Sequence, residues 1–395
     1  MRISLKMQAA GLLAICLLLS FPLGALGEEK AKEAPKEPET HAQAAALIDV
    51  TSGRILYSSH GDEELPIASL TKIMTAIVAI EHGKTDQIVK VGNNAYRKEG
   101  SSIYLHLGEE MSLENMLYGL MLRSGNDAAT AIAEHVGGSE QGFVHLMNEK
   151  AKLIGLSHTQ FQNPHGLDAK GHYSSANDLA KLTAYALHNP LFKEIVRTPT
   201  RKAPNPYDPW DYRWDNKNKM LRFYEGADGV KTGYTKIARR CLVSSATRNG
   251  QQLVAVTIND GDDWNDHRKL LDYGFANFPL KSLIEAGQPV QNGLAAGTAF
   301  SYPLSETEAD RVEIRLVVKN GGAAAFGYRG SIRILLAGRE IGKVPVYEQD
   351  SDRPSPAKQT LGNAASSLSG TQTFRRPGTW PGSLAYVFRA LLFAG

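Results

Sequence analysis

Cysteine is almost absent from this chain of 395 residues, in which only Cys16 and Cys241 occur. Cys16 lies in an apolar N-terminal run, and cleavage of that run would leave Cys241 alone. A single cysteine cannot form a disulfide within one mature chain, and it cannot supply a four-cysteine zinc site. A small disulfide-stapled fold is therefore excluded. The hydrophobic share of 42% is that of an ordinary globular protein, and the length allows two or three domains.

A strong excess of charge of either sign is also lacking. The formal net charge is +3, and removal of residues 1–27 would take away two bases, Arg2 and Lys6, and no acid, which leaves +1. This balance gives no indication of a nucleic-acid partner.

Neither apolar end of the chain is long enough to cross a bilayer, which takes roughly 20 residues. At the N-terminus, Arg2 and Lys6 precede an apolar run from Ala9 to Leu23, and Ala25-Leu26-Gly27 offers small residues to a signal peptidase. Residues 1–27 are therefore predicted to be a cleaved signal peptide, with an uncleaved membrane anchor as the alternative. The mature protein is expected to work outside the cytoplasmic membrane.

The remaining sequence predicts an α+β architecture. A charged, flexible leader at 28–41 precedes a segment, 42–278, that contains a hairpin, a helical block, a second hairpin and a closing helix. The strands come from both ends of this segment and the helices from its middle. One antiparallel sheet with helices packed on it is the simplest arrangement.

The C-terminal part of the chain changes character. Residues 279–350 contain runs that alternate at period two with Gly-rich breaks, which predicts a small all-β domain, and 351–379 is predicted to be a linker. Residues 380–395 have apolar side chains at the spacing of an amphipathic helix, and the stretch 351–395 has five bases and one acid. Such a helix is suited to lie in a membrane surface. A helix docked on this or another protein is the alternative.

Ser69 and Lys72 are the most informative pair in the sequence. They lie three residues apart at the predicted first turn of a helix, where positions i and i+3 share one face. The apolar stretch from Ile73 to Ile80 predicts that this helix is buried on most sides, and burial lowers the pKa of a lysine. A neutral Lys72 amine could then take the proton of the Ser69 hydroxyl. The alternative is a helix N-terminus followed by a solvated lysine.

Two further short motifs carry polar groups that such a pair would need. Ser124-Gly125-Asn126 lies in a predicted turn between two helices, and small polar residues there often only form the turn. Lys231-Thr232-Gly233 belongs to a predicted strand. Its cation and hydroxyl can bind a carboxylate, and its glycine lets a substrate backbone approach the strand. A strand edge with a solvated lysine is the alternative for this motif.

The three motifs, in this order and at these spacings, resemble those of the serine-active penicillin-binding proteins, which share the serine β-lactamase fold. The resemblance is greatest to the low-molecular-mass D-alanyl-D-alanine carboxypeptidases. It extends over nearly the whole chain and includes Asn163-Pro164-His165-Gly166-Leu167, the stretch from Asp228 to Thr235, the trailing β domain and the amphipathic C-terminus. It implies a penicillin-binding or transpeptidase fold, with an antiparallel sheet and a helical subdomain, followed by the small all-β domain.

The resemblance also implies the reaction. Ser69 would attack the carbonyl between the two terminal D-alanines of a peptidoglycan stem peptide, with Lys72 as the base and Ser124 as a proton relay. D-Alanine would leave, and water would hydrolyse the acyl-enzyme. This would limit cross-linking during cell-wall biogenesis, and β-lactams would be covalent inhibitors.

The same resemblance implies how the substrate would be held. Asn126 would bind the substrate amide, and Lys231 and Thr232 would bind the terminal carboxylate beside Gly233. The backbone N–H groups of Ser69 and Tyr234 would form the oxyanion hole. No metal or organic cofactor is implied. The enzyme is expected in the cell wall, peripherally attached to the outer face of the cytoplasmic membrane.

Three other activities are possible for such a chain. A class A β-lactamase also needs a Glu in a loop after the second motif, and Asn163 to Asp168 contains none. A transpeptidase would use a second amine in place of water, and the sequence does not exclude this as a side activity. A non-catalytic wall-binding or sensor protein of the same fold is disfavoured because every motif residue is present.

Two stretches depart from the family's pattern. Ala238-Arg239-Arg240 occupies a place where a glycine is common, and the stretch from Gly261 to His267 is more acidic than in some relatives. The overall pattern resembles the sporulation-associated branch. His165 and His267 are expected to have structural rather than catalytic roles, because the lysine already supplies a base.

Overall fold

The computed structural model describes residues 35–318 and 327–349. The predicted signal peptide at 1–27, the linker at 351–379 and the membrane-surface helix at 380–395 lie outside these residues, as does the first half of the predicted leader. Within the two described ranges, no helix is both long and apolar enough to cross a membrane.

The described residues contain fifteen strands. In chain order they are β1 Ala42–Asp49, β2 Ile55–Ser59, β3 Ile88–Lys90, β4 Glu110–Ser112, β5 Thr200–Ala203, β6 Tyr212–Asp215, β7 Ala227–Thr235, β8 Arg239–Arg248, β9 Gln251–Asp260, β10 Leu280–Ile284, β11 Leu294–Ala296, β12 Phe300–Pro303, β13 Val312–Val318, β14 Tyr328–Leu336 and β15 Arg339–Glu348.

Nine α-helices accompany these strands in the described part of the chain. They are α1 Lys72–His82, α2 Leu113–Tyr118, α3 Asn126–Gly137, α4 Glu140–Leu153, α5 Ala176–Leu187, α6 Pro190–Arg197, α7 Met220–Phe223, α8 Asp263–Asn277 and α9 Glu306–Ala309. There are also two 3-10 turns, at Ala68–Thr71 and Gln291–Gly293, and a π-helical turn at Gly119–Arg123.

Five strands form the central antiparallel sheet, in the order β2-β1-β9-β8-β7. β8 and β9 make the predicted second hairpin, and Asn249 and Gly250 at its turn both have positive φ, as a tight hairpin requires. β1 pairs with β9, so that strands from both ends of the segment lie side by side. The predicted α+β arrangement is confirmed.

Both faces of this sheet are covered. On one face, Ala44, Ala46 and Ile48 of β1 pack into the large core that the helical block builds. On the other face, Ala45 and Leu47 pack into a second core that includes residues of α8. Because successive strand residues point to opposite faces, burial on both sides accounts for the uninterrupted apolar run of β1.

The residues after 278 form smaller sheets around their own apolar core. β11, β15, β14 and β13 make a four-stranded antiparallel sheet, and β10 pairs with β12. Arg54, which precedes β2, links this part to the main sheet by donating to the carbonyl of Pro303 at 2.6 Å and to Glu308 at 2.5 Å. The predicted small all-β domain is confirmed, and its boundary at 278 stays a prediction.

Two local expectations differ from the structure. The sequence from Arg201 to Arg222 is polar and aromatic and contains Pro204, Pro206 and Pro209, which predicts a long loop, but the stretch contains most of the β5–β6 hairpin and of helix α7. Its strands are only four residues each, too short for an apolar period to be visible. The helix expected to begin at Ser69 begins at Lys72 instead, after the 3-10 turn. Ser69 therefore lies in a tight turn and caps no helix.

Candidate active site

The amine of Lys72 is the point at which the predicted motifs meet. Lys72 has no exposed surface. Its Nζ lies 3.0 Å from Oγ of Ser69, 2.7 Å from Oδ1 of Asn126 and 2.5 Å from the carbonyl oxygen of His165. These partners belong to the turn before α1, the start of α3 and the loop at 163–167. The first two motifs are thereby brought together around one nitrogen.

Burial weakens the binding of a proton to this amine. Desolvation, followed by repulsion from Lys231 and Lys217, holds the pKa of Lys72 well below its usual range, against the opposing attraction of Asp127. A neutral amine has two N–H groups and one lone pair. When the N–H groups donate to the His165 carbonyl and to Asn126, the lone pair faces the Ser69 hydroxyl. The arrangement can therefore remove a proton from Ser69.

Ser124 and Asn126 follow a π-helical turn, a feature often found at functional sites. Ser124 has φ of +66°, a left-handed conformation that is costly for a residue other than glycine. The Asn126 amide donates to the carbonyl of Glu99 at 2.7 Å, and this fixes Oδ1 toward Lys72. Both side chains are nearly buried, at 3% exposure each.

The loop at 163–167 contributes backbone rather than side chains. Pro164 accepts a hydrogen bond from Oγ1 of Thr75 at 2.6 Å, and His165 accepts from Lys72 one helical turn earlier. Gly166 has φ of +83°, and a Cβ there would lie 1.9 Å from the carbonyl oxygen of Ala68. Only glycine fits this position, so the loop can press directly against the turn that holds the serine.

The third motif lies on β7, the edge strand that runs beside the serine turn. A Cβ at Gly233 would come within 3.2 Å of the backbone nitrogen of Ser69, so glycine allows the close approach. Lys231 is 1% exposed and donates to the carbonyl of Thr232 at 2.7 Å. Thr232 is partly exposed, and the Tyr234 side chain is exposed.

Sequence reasoning missed Lys217, a third lysine at this site. Its charge lowers the pKa of both Lys72 and Lys231. Its position is fixed by its neighbours, because Asn216 and Asn218 are buried and donate through their amides to backbone carbonyls. The flanking asparagines are a signal of a fixed turn, but nothing in the sequence relates that turn to Ser69.

A buried clamp behind Ser69 was also missed. The N–H of Gln162 donates to Nδ1 of His172 at 3.0 Å, so the ring proton resides on Nε2, which donates to Oγ1 of Thr71 at 2.7 Å. The Thr71 hydroxyl donates in turn to the carbonyl of Ala68 at 2.9 Å. Burial lowers the pKa of His172 to about 4, which keeps the ring neutral. Ala68 has φ of +47°, and this chain of bonds fixes the peptide that carries the Ser69 N–H.

The two histidines expected to be structural have contacts of that kind. Nδ1 of His165 accepts from the N–H of Leu167 at 3.3 Å, and only the His165 carbonyl reaches Lys72. His267 is fully buried, with Nε2 lying 3.1 Å from Oγ1 of Thr257.

The two departures from the family's pattern are related. Arg239 has φ of +59°, the conformation that glycine adopts most easily. Its neighbour Arg240 forms an ion pair with Asp263 of the acidic stretch. The positive charge of Arg240 and the negative charge of Asp263 thus offset each other.

Among the described residues, one group has the composition of a metal site. His41, Asp262 and Asp266 have ligand atoms within 4.8 Å of one another. Protein donors already serve these carboxylates, since Asp266 contacts His41 and Lys269 and Asp262 accepts from Asn265. The expected absence of a metal and a cofactor stays a prediction.

The sheet order, the helical block and the following β domain define the class of protein, that of the penicillin-binding proteins. Penicillin binding protein 5 from Haemophilus influenzae matches with a TM-score of 0.66 and 28% identity, over 79% of this chain and 97% of that one. Penicillin binding protein 6B from Escherichia coli matches with a TM-score of 0.65 and 29% identity, over 79% and 96%.

The sequence comparisons narrow this class. The peptidase S11 family model, described as D-alanyl-D-alanine carboxypeptidase, matches residues 30–262. The D-alanyl-D-alanine carboxypeptidase DacF of Bacillus subtilis is 36% identical over 301 residues, which cover 72% of this chain and 75% of the relative. DacC of Escherichia coli is 36% identical over 270 residues, 65% of this chain and 66% of the relative.

The chain belongs to the D-alanyl-D-alanine carboxypeptidase family. It is a serine-type carboxypeptidase that acts on peptidoglycan, as the motifs predict. The family works on the cell wall, outside the cytoplasm.

The clamp gives the first testable prediction. Thr71→Val keeps the shape of the side chain but removes the hydroxyl that joins His172 to the Ala68 carbonyl. We expect kcat/KM for D-alanine release to fall about tenfold or more, because the Ser69 peptide loses its orientation, whereas Thr71→Ser should stay within about threefold of wild type. Thermal unfolding of both variants separates this loss from a loss of fold. Equal rates in the two variants would contradict the clamp.

Proposed function

We propose that Ser69 is the nucleophile and Lys72 the base of this carboxypeptidase. The observation that carries the proposal is the buried Lys72 amine, 3.0 Å from the Ser69 hydroxyl, with two carbonyl-type acceptors for its N–H groups. Ser69 Oγ attacks the carbonyl between the two terminal D-alanines as its proton passes to Lys72. The C–N bond breaks, the proton reaches the leaving D-alanine amine, and an acyl-enzyme remains.

Ser124 and Asn126 are assigned to proton relay and substrate positioning. Ser124 is buried two residues before Asn126, whose Oδ1 lies 2.7 Å from the Lys72 amine, and this position supports a role in passing the proton to the leaving amine. Asn126 is anchored at both ends of its amide, so one face of the substrate cleft is rigid. Water then hydrolyses the acyl-enzyme.

Lys231 and Thr232 are assigned to the terminal carboxylate of the substrate. Lys231 is buried, and among the described residues its amine donates only to the carbonyl of Thr232. A substrate carboxylate bound there would therefore pair with a cation that is already shielded from water. The backbone N–H groups of Ser69 and Tyr234 are assigned to the oxyanion hole. The close approach of β7 to the Ser69 turn supports the last assignment, since a Cβ at Gly233 would lie only 3.2 Å from the Ser69 nitrogen.

β-Lactams are proposed as covalent inhibitors at Ser69. A penicillin presents an amide carbonyl and a carboxylate, the two groups that this site is assigned to bind. The loop at 163–168 has no Glu to direct water onto the acyl-enzyme. Hydrolysis of the penicilloyl adduct should therefore be slow, and the β-lactamase alternative is disfavoured.

We also propose that residues 1–27 direct export of the protein. Residues 380–395 would then hold it peripherally at the outer face of the cytoplasmic membrane. The amphipathic spacing and the five bases against one acid in 351–395 support the second part.

The experiment for the reaction uses a synthetic pentapeptide that ends in D-Ala-D-Ala. Wild type should release free D-alanine, and Ser69→Ala or Lys72→Ala should lower the rate by about 10³-fold or more. A fluorescent penicillin should label wild type and not Ser69→Ala. An undiminished label on Ser69→Ala would overturn the nucleophile, and penicillin labelling without D-alanine release would indicate a wall-binding or sensor protein.

The pH profile tests the carboxylate assignment. Burial, followed by the positive charge of Lys217, lowers the pKa of Lys231 to about 7. In the free enzyme Lys231 loses its proton above about pH 7, so the acylation rate with a penicillin should decline on the alkaline side of that midpoint. Lys217→Gln removes the repelling charge and should move the decline to higher pH, whereas Lys217→Arg should not. An unmoved decline in Lys217→Gln would contradict the coupling.

Truncation before Trp380 tests the membrane proposal. The shortened protein should leave the membrane fraction and should retain its rate of D-alanine release. A control that replaces only Leu384 and Leu391 by Ser keeps the charge and removes apolar surface. Unchanged membrane association of the truncated protein would reject the tail as the anchor.

A further inference from the structure

A cavity of about 440 Å³ opens beside the second motif. One wall is the loop at 102–106, and the other is the β5–β6 hairpin with its tip at 204–211. Arg123, the neighbour of Ser124, belongs to its lining. The volume is that of a small-ligand site, and the proposed mechanism uses none of it.

Aromatic rings stand exposed around this cavity. Tyr104 is 80% exposed and Trp210 is 66% exposed, on opposite walls. Tyr207 stacks on His106 with ring centroids 4.1 Å apart, and Tyr207 is itself half exposed. A cluster of exposed, large apolar side chains usually marks a binding site, because exposure of such a patch to water is unfavourable unless a ligand or partner covers it.

The loop that presents Tyr104 is fixed to the second motif. Asp127, which follows Asn126, accepts from the N–H groups of Ile103 and Leu105 at 3.1 Å and from the Ser102 hydroxyl at 2.6 Å. The Ser102 oxygen accepts in turn from the N–H of Tyr104, whose φ is +64°. One buried carboxylate thus places the exposed ring at a set position beside the catalytic cleft.

The opposite wall contains a stacked aromatic pair and offers polar groups. Tyr212 stacks on Trp214, with centroids 5.6 Å apart, and donates to the buried carboxylate of Glu109. The rest of the lining is polar and of both signs, with Asn205, Asp208, Asp211 and Arg213. The cavity therefore combines flat apolar faces with separate hydrogen-bonding groups.

That combination matches a sugar ring. A pyranose in a glycan presents C–H groups on its faces, which stack on aromatic rings, and hydroxyl and N-acetyl groups at its edge, which bind carboxylates, amides and guanidinium groups. A stem peptide of five residues reaches at most about 18 Å when extended, so the glycan strand that carries it stays close to the cleft. The charged part of a stem peptide has no flat apolar face that could stack on the ring of Trp210.

We propose that this cavity is a subsite for an N-acetylated sugar of the glycan strand, next to the stem peptide under cleavage. The proposal rests on the carboxypeptidase function. The enzyme would then recognise the glycan strand as well as the peptide terminus, through residues that take no part in the chemistry.

The test compares two substrates that differ only in the sugar, the free pentapeptide and the disaccharide-pentapeptide. Trp210→Ala should raise KM about fivefold or more for the disaccharide-pentapeptide and leave kcat unchanged. For the free pentapeptide both constants should stay within about twofold of wild type. Trp210→Phe should retain most of the preference. Phe223→Ala removes another exposed aromatic ring, 54% exposed and outside the cavity lining, and should change neither substrate.

Binding without chemistry separates this proposal from the carboxypeptidase function. Ser69→Ala protein should bind peptide-free glycan chains in a pull-down, and the additional change Trp210→Ala should abolish this. If wild type released no D-alanine from the pentapeptide, the function would fail while this assay still judged the subsite. Equal loss on both substrates, or undiminished glycan binding, would overturn the subsite. A raised KM for a sugar-free cross-linked peptide dimer would assign the cavity to a second stem peptide instead.

Discussion

The structure of the active site depends on keeping one amine away from water. Lys72 has no exposed surface, and a buried ammonium is costly unless it is paired with a charge. The protein supplies neutral oxygens from three separate segments instead, and the charges of Lys231 and Lys217 oppose protonation of the amine. The lowered pKa that the proposed base requires is therefore maintained only while those segments remain in contact. The glycines at 166 and 233 follow from the same constraint, because a Cβ at Gly166 would lie 1.9 Å from the Ala68 carbonyl oxygen and a Cβ at Gly233 would lie 3.2 Å from the Ser69 nitrogen.

Much of the fold could be predicted because its signals are local. Period-two or fully apolar runs and the Asn249-Gly250 turn locate the strands of the main sheet, and apolar spacing locates most helices. The start of α1 was misplaced because a 3-10 turn has no apolar period of its own. The β5–β6 hairpin is not visible in the sequence because each strand has only four residues, too few to show an alternating apolar pattern.

The residues of the candidate site also fall into two groups, those that the sequence can identify and those that only the structure identifies. The three motifs could be found because their chemistry resides in side chains whose type is visible in the sequence. His165 acts on Lys72 through its carbonyl, and a backbone oxygen has no residue type, so only the structure identifies it. The pair of Thr71 with His172 depends on a contact across 101 residues. Lys217 acts on Lys72 although it follows it by 217 − 72 = 145 residues. A single sequence offers no measure of such contacts.

The separation of these partners along the chain has a consequence for when reactivity appears. Ser69 and Lys72 are local, but the oxygens that hold the amine come from residues 126 and 165, and the strand against Ser69 comes from residue 233. A chain that is only partly folded has an ordinary hydroxyl and an ordinary, protonated lysine. The nucleophilicity proposed for Ser69 is thus a property of the completed tertiary structure, because all of these long-range contacts have to be present. On this proposal, an incompletely folded molecule would not react with acyl donors.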